Sequence, residues 1–188
     1  MAKFYLNLEG RITMEIEAAD LKYGAWFSNW SGRTDGDFHY NGVDPETREG
    51  YKYFTIKIPE VVHNELDGRD YTVDDLASIG IPIKTYPGNP EKGYDDEHTL
   101  KVKVSFKFKP PVVKVNIGDA TDILDNDTCH RLDSLMIDKP DLVLGFGRIN
   151  EQNGRRPCYL QEFYANAVVS RMAMKHMDVP TDDEDTFM

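Results

Sequence analysis

Lysines alternate with apolar residues along one short stretch of the chain. Between residues 100 and 109 one side of the alternation is polar, with Lys101, Lys103, Ser105, Lys107 and Lys109, and the other side is apolar. A period of two predicts a strand with one buried face. Its ammonium groups would lie about 7 Å apart, a spacing suited to successive phosphates of an extended nucleic acid. The alternative is that the lysines protect a strand edge from aggregation.

Aromatic residues accompany the positive charges. Five of them lie on polar sides of predicted strands or beside cations: Trp26, Trp30, Tyr51, Tyr53 and Tyr159. Arg33 follows the tryptophans, and Lys57 shares a strand side with Tyr53. Base stacking on such rings contributes about 1–3 kcal/mol per base and tolerates any sequence. Core packing is the rival explanation, because tryptophans near strand ends often anchor a core.

Three arginines flank a predicted hairpin turn. Arg148 precedes Asn153-Gly154, a dipeptide typical of tight turns, and Arg155 and Arg156 follow it. Tyr159 and Phe163 come next at strand spacing, and we expect both to be exposed. Guanidinium groups beside exposed rings can bind phosphates and stack on bases. Solvated arginines without a ligand explain the pattern equally well.

Residues for catalysis or metal binding do not assemble in the sequence. The five histidines are scattered singly, without metalloprotease spacing. Acids between residues 119 and 127 lack the calcium-loop pattern, so helix capping explains them better. No nucleophile has a plausible base. We therefore expect a non-enzymatic protein without a cofactor or metal.

The elements that would position these residues are mostly strands. Alternation predicts strands within 6–17, 51–58, 100–109, 113–117, 141–149 and 158–169, and short helices within 72–79 and 125–136. Long loops are expected at 32–50 and 86–98. This pattern predicts an OB-like antiparallel barrel of five to six strands, with elaborated loops and one or two short helices.

Composition limits the class of protein. The chain has 188 residues, a net charge of −11 and two cysteines. This length suits one domain, which we place at 1–177. Two distant thiols suit a reducing cytoplasm, and no secretion signal or apolar run of membrane-spanning length is visible. We expect a cytoplasmic protein without a membrane partner. The segment 178–188 holds five acids and no base, so we expect a disordered acidic tail.

The tail carries the most specific pattern. Its last acids, Asp182, Asp183, Glu184 and Asp185, are followed by Phe187, and Met188 ends the chain. In this it resembles the single-stranded DNA-binding proteins of bacteria and their phages, whose acidic C-termini end in or near phenylalanine. The body from Gly10 to Ser170 also looks like small phage proteins of this type.

That resemblance implies a function. In the family, the tail docks replication and recombination enzymes and competes with DNA for a basic groove, so the four acids and Phe187 would take those roles here. We expect sequence-independent binding of single-stranded DNA in a bacterial cell, and a homo-oligomer is compatible with it. The alternative is a non-enzymatic phage interaction module, structural or an inhibitor that mimics DNA.

Overall fold

A computed structural model of the protein describes residues 1–22, 52–106, 109–137 and 139–168. Strands and bridges make up 52% of the described residues, and the main sheet curls into a half-barrel. The prediction of a mostly β chain is therefore confirmed. The described strands are β1 (Lys3–Asn7), β2 (Thr13–Glu17), β3 (Lys52–Ile58), β4 (Val61–His63), β5 (Asp70–Thr72), β6 (Ile83–Tyr86), β7 (Glu97–Val104), β8 (Val112–Ile117), β9 (Ala120–Leu124), β10 (Met136–Ile137), β11 (Asp141–Phe146) and β12 (Cys158–Val168).

The long strand β12 lies in the middle of the main sheet. The sheet follows the order β1-β2-β11-β12-β7-β3, and β11 pairs antiparallel with one edge of β12. Strands β7 and β8 both pair with β12 in parallel. Strand β6 pairs with β7, and β9 pairs with β8. A separate two-stranded sheet joins β4 and β5.

The predicted alternation places the core. Even-numbered residues of the first hairpin, such as Met14 and Ile16, are buried, and so are Val102 and Val104 of β7, the strand that carries the alternating lysines. Phe54 of β3 and Phe163 of β12 meet edge to face, with ring centroids 5.9 Å apart. Such aromatic pairs add about 0.5–1.5 kcal/mol to the hydrophobic gain from burial. One apolar layer thus holds together strands that are distant in the sequence.

The short helix α1 (Val73–Ser78) confirms the prediction for residues 72–79. Its first turn is a capping box, in which Thr72 Oγ1 accepts from the Asp75 N–H and the Asp75 carboxylate accepts from the Thr72 N–H. Gly80 follows with φ of +95°. Glycine suits this conformation, which other residues rarely adopt, so the helix ends where predicted.

The second predicted helix is shorter and of a different type. Residues Cys129–Ser134 form a 3₁₀ helix, and a further 3₁₀ turn spans Pro90–Lys92. The Asp125 carboxylate accepts from the backbone N–H groups of Asp127 and Thr128. These bonds are typical of a helix N-cap, but the residues that follow form a short 3₁₀ helix from Cys129 rather than an α-helix.

Two features of the sheet differ from the prediction. The described residues hold twelve strands rather than five or six, because several short strands have too few residues for a visible alternation. The sheet is also not wholly antiparallel, since β12 runs parallel to β7 and β8. The predicted hairpin is confirmed, with β11 paired to β12 and Gly154 at φ of +70° in the turn.

Candidate nucleic-acid interface

Three side chains from three adjacent strands form a row on the solvent face of the sheet. Tyr53 of β3 and Tyr159 of β12 both lie directly opposite Lys103 of β7. Directly opposed residues on paired strands project from the same face of a sheet. Because neighbouring strands lie about 4.8 Å apart, the row is about 10 Å wide. The Lys103 ammonium lies 6.0 Å from the centre of the Tyr159 ring.

Lys101 extends this row along β7. Its ammonium lies 4.1 Å from the centre of the Tyr53 ring, a cation–π distance. Partial burial lowers the pKa of Lys101, and the positive charges of Lys103 and Lys84 lower it further. The ammonium groups of Lys103 and Lys84 are thus close enough to repel that of Lys101. An anion that bridged them would relieve this repulsion.

The next part of the face combines the predicted Lys57 with residues of β6 that the sequence did not indicate. Thr99 of β7 lies between Lys57 of β3 and Lys84 of β6. Tyr86, also on β6, has two ammonium groups near its ring: Lys22 at 4.2 Å and Lys84 at 5.0 Å. The signal for β6 was a short isoleucine-containing run between Gly80 and Pro87, and its position beside β7 depends on long-range pairing. We call the whole set the lysine–tyrosine face: Lys22, Tyr53, Lys57, Lys84, Tyr86, Lys101, Lys103 and Tyr159.

The hairpin arginines have different positions. Arg148 and Arg155 are exposed near the turn between β11 and β12. Arg156 is half-buried, and its guanidinium donates to the carbonyl oxygens of Ile79, at 2.8 Å, and Gly147, at 3.1 Å. Its side chain also packs on Gly80, where an added Cβ would lie 2.9 Å from Arg156 Cγ. Arg156 therefore ties α1 to the hairpin, a structural role that the sequence analysis missed.

One aromatic prediction was wrong. Phe163 was expected to be exposed with Tyr159, but it is fully buried. The register of β11 against β12 shifts between Val143 and Leu144, which inserts one extra residue, Gln161, into β12. This bulge reverses the alternation, so that Tyr159 and Tyr164 face solvent and Phe163 faces the core.

Several predicted site residues lie outside the described part of the chain. They are Trp26, Trp30, Arg33, Tyr51, Lys107 and the tail residues Asp182, Asp183, Glu184, Asp185 and Phe187. Lys109 is described and exposed, and it follows the end of β7. Of the predicted residues, the structure brings Tyr53, Lys57, Lys101, Lys103 and Tyr159 onto one face.

The other end of the same sheet carries negative charge. A shallow cleft of about 290 Å³ is lined by side chains from β1, β2, β11 and β12. We call it the acidic cleft, and its polar residues are Tyr5, Glu15, Glu17, Asp141, Glu162 and Tyr164. The Tyr5 hydroxyl donates to Glu17, which raises the pKa of Tyr5 to about 12. Tyr164 donates to Glu162, and this bond raises its pKa as well.

Uncharged residues separate the two regions. Gly145 of β11 lies opposite both Thr13 of β2 and Tyr159 of β12. Any Cβ at Gly145 would come within 2.2 Å of the Gln161 amide nitrogen, so the missing side chain leaves room for the bulged Gln161. A phosphate chain on the lysine–tyrosine face would meet this neutral border before the acidic cleft.

Among the described residues, no group of three or more histidine, cysteine or acidic side chains is placed to hold a metal ion. No helix in the same part of the chain is long and apolar enough to cross a membrane.

Comparisons of this chain with protein families, with characterised proteins and with solved structures find no match.

Proposed function

We propose that the protein binds single-stranded DNA without sequence preference through the lysine–tyrosine face. The observation that carries the proposal is the row Tyr53–Lys103–Tyr159, in which two rings flank a cation at the width of one strand spacing on each side. Rings offer stacking surfaces to any base, and ammonium groups attract phosphates. Both kinds of contact are independent of the base sequence.

The curled half-barrel sheet suits this function. We interpret it as an OB-like barrel, a partly open fold that binds oligonucleotides across a strand face. In this proposal Arg148 and Arg155 add phosphate contacts at one end of the face. The acidic tail recruits replication or recombination enzymes through Phe187 and competes with DNA for the lysines. The protein acts without enzymatic turnover in the cytoplasm of a bacterial cell.

Fluorescence anisotropy with labelled oligo-dT tests the proposal at several salt concentrations. If lysines release counterions from phosphates, log affinity should fall with log salt by about 0.7 per contact. Several contacts therefore give a slope of −2 or steeper. Absence of binding at low salt would contradict the proposal.

The second candidate function is a non-enzymatic interaction module whose acidic surface mimics DNA. The acidic cleft favours it, since Glu15, Glu17, Asp141 and Glu162 cluster on one sheet face, and so does the net charge of −11. This candidate predicts no affinity for oligo-dT and capture of a DNA-binding enzyme instead. Competition between the protein and DNA for such an enzyme would favour it over the first proposal.

A further inference from the structure

Tyr86 lies at the far end of the lysine–tyrosine face from Tyr159. It is directly opposite Glu97 on β7, six residues before Lys103. At about 3.3 Å per residue, this offset places Tyr86 about 20 Å along β7 from the row Tyr53–Lys103–Tyr159. Several nucleotides of an extended strand are needed to span that distance. Tyr86 is also among the exposed large side chains of the described chain, with 39% of its surface accessible.

The surroundings of Tyr86 combine a ring with two cations and one acid. Lys22 and Lys84 hold their ammonium groups 4.2 Å and 5.0 Å from the ring centre. The Glu97 carboxylate forms an ion pair with the Lys22 ammonium, with 3.1 Å between Oε1 and Nζ. The Lys22 side chain is only 12% exposed, whereas that of Glu97 is 38% exposed. The lysine is thus held in place by its packing, and the carboxylate reaches it from the solvent side.

We propose that Tyr86, Lys84 and Lys22 form a second nucleotide subsite, in which a phosphate replaces the Glu97 carboxylate on Lys22 and a base stacks on Tyr86. The inference rests on the proposed function, because it extends the same strand path along β7. A carboxylate and a phosphodiester each carry one negative charge and oxygen acceptors, so the exchange preserves the ion pair at Lys22. Glu97 then lowers affinity, since it must leave Lys22 before the phosphate binds.

The distance between the two subsites makes the proposal testable by oligonucleotide length. An oligo-dT of about 4 nucleotides can fill the Tyr159 end alone, whereas one of about 12 nucleotides can reach both ends, lengths that lie within the site sizes of single OB folds. Tyr86→Ala should weaken binding of the long oligonucleotide by about tenfold or more. Binding of the short one should change less than twofold.

Glu97→Gln gives the complementary result. Without the competing carboxylate, the phosphate no longer has to displace Glu97 from Lys22, so binding of the long oligonucleotide should tighten several-fold. Its salt slope should steepen by about 0.7, because a displaced carboxylate takes up a cation and offsets the counterion that the phosphate releases. Glu9→Gln is the matched control, since it removes the same charge from the turn between β1 and β2 and should leave both quantities unchanged.

The outcomes separate this inference from the function on which it rests. If the wild-type protein binds neither oligonucleotide, both are wrong. If it binds both, and Lys103→Gln weakens both, the proposed function stands. In that case equal effects of Tyr86→Ala on the two lengths, or a Glu97→Gln variant that behaves like Glu9→Gln, would overturn the second subsite. Circular dichroism of each variant checks that the fold is retained.

Discussion

Tyr159 and Tyr164 lie on the same strand and face the same solvent, but the charges around them differ. Tyr159 lies between Lys103 of β7 and the uncharged Gly145 of β11. Tyr164 also has a lysine across from it, Lys114 of β8, but its other neighbour is Asp141 and its hydroxyl is bound to Glu162, so two acids surround it with one lysine. In the proposed function, the cross-strand neighbours of a tyrosine on this face therefore decide whether DNA binds beside it.

The largest expected effect comes from reversing charge on the lysine–tyrosine face. Replacing Lys101 and Lys103 together with glutamate should lower affinity for oligo-dT at least 100-fold, because two phosphate contacts become repulsive. The fold should be retained, since both side chains project from the solvent side of β7. Anisotropy titrations measure the affinity, and thermal unfolding checks the fold.

A matched variant exists at the other end of the sheet. Lys3 and Lys114 are exposed, and they lie opposite Glu17 and Tyr164. Changing both to glutamate alters the net charge by the same amount. We expect less than a threefold loss of affinity. Equal losses in the two double variants would mean that net charge, rather than one face, controls binding.

The two tyrosines provide the second test of the comparison. Tyr159→Ala should weaken binding by about 1–3 kcal/mol if a base stacks on the ring. Tyr164→Ala removes a similar ring from the same strand and should leave affinity unchanged. Isothermal titration with one oligo-dT measures both variants. A loss at Tyr164 that matched the loss at Tyr159 would extend the binding face across the acidic cleft.

Tail truncation should have a smaller effect in the opposite direction. If residues 178–188 form the disordered tail that the sequence predicts, their acids can reach a millimolar effective concentration near the lysines. Deleting Pro180–Met188 should therefore tighten DNA binding several-fold near 0.01 M salt, where the Debye length is about 30 Å. Phe187→Ala keeps the charge, so it should spare DNA affinity and abolish docking of a replication enzyme. Unchanged affinity after truncation at every salt concentration would mean that the tail does not compete with DNA for the lysines.

The smallest effect concerns pH. The pKa of Lys101 is lowered below that of an ordinary lysine by burial and by its cationic neighbours. DNA binds the protonated form, so affinity should fall as pH rises through this lowered pKa. Above that pKa the free protein has lost the Lys101 proton and must regain it on binding. Lys101→Arg should shift the fall to higher pH, and an identical pH profile in the two proteins would argue against a contact at Lys101.

Parts of this arrangement could be predicted from the sequence because they depend on neighbouring residues. The alternation from Lys101 to Val104, the capping box at Thr72 and the turn at Gly154 are local patterns, and the structure confirms each. These patterns fixed which side of each strand is polar. They held no information about which polar sides come together.

The rest depends on contacts between distant residues. Lys84 and Tyr86 join the face only because β6 pairs with β7, and Arg156 resembles Arg155 in the sequence but packs on Gly80. Phe163 was placed on the wrong face because a single bulged residue, Gln161, reverses the alternation of β12. Bulges and long-range pairing leave no periodic signal in a single sequence.

The most direct test of the central claim is a nuclear magnetic resonance titration of the protein with oligo-dT, read at backbone amides across the main sheet. We predict chemical-shift changes in β3, in β7 and in β12 around Tyr159, with none around Glu15, Val143 and Tyr164. Shifts centred on the acidic cleft, or a spectrum that stays unchanged at saturating oligo-dT and low salt, would contradict the account.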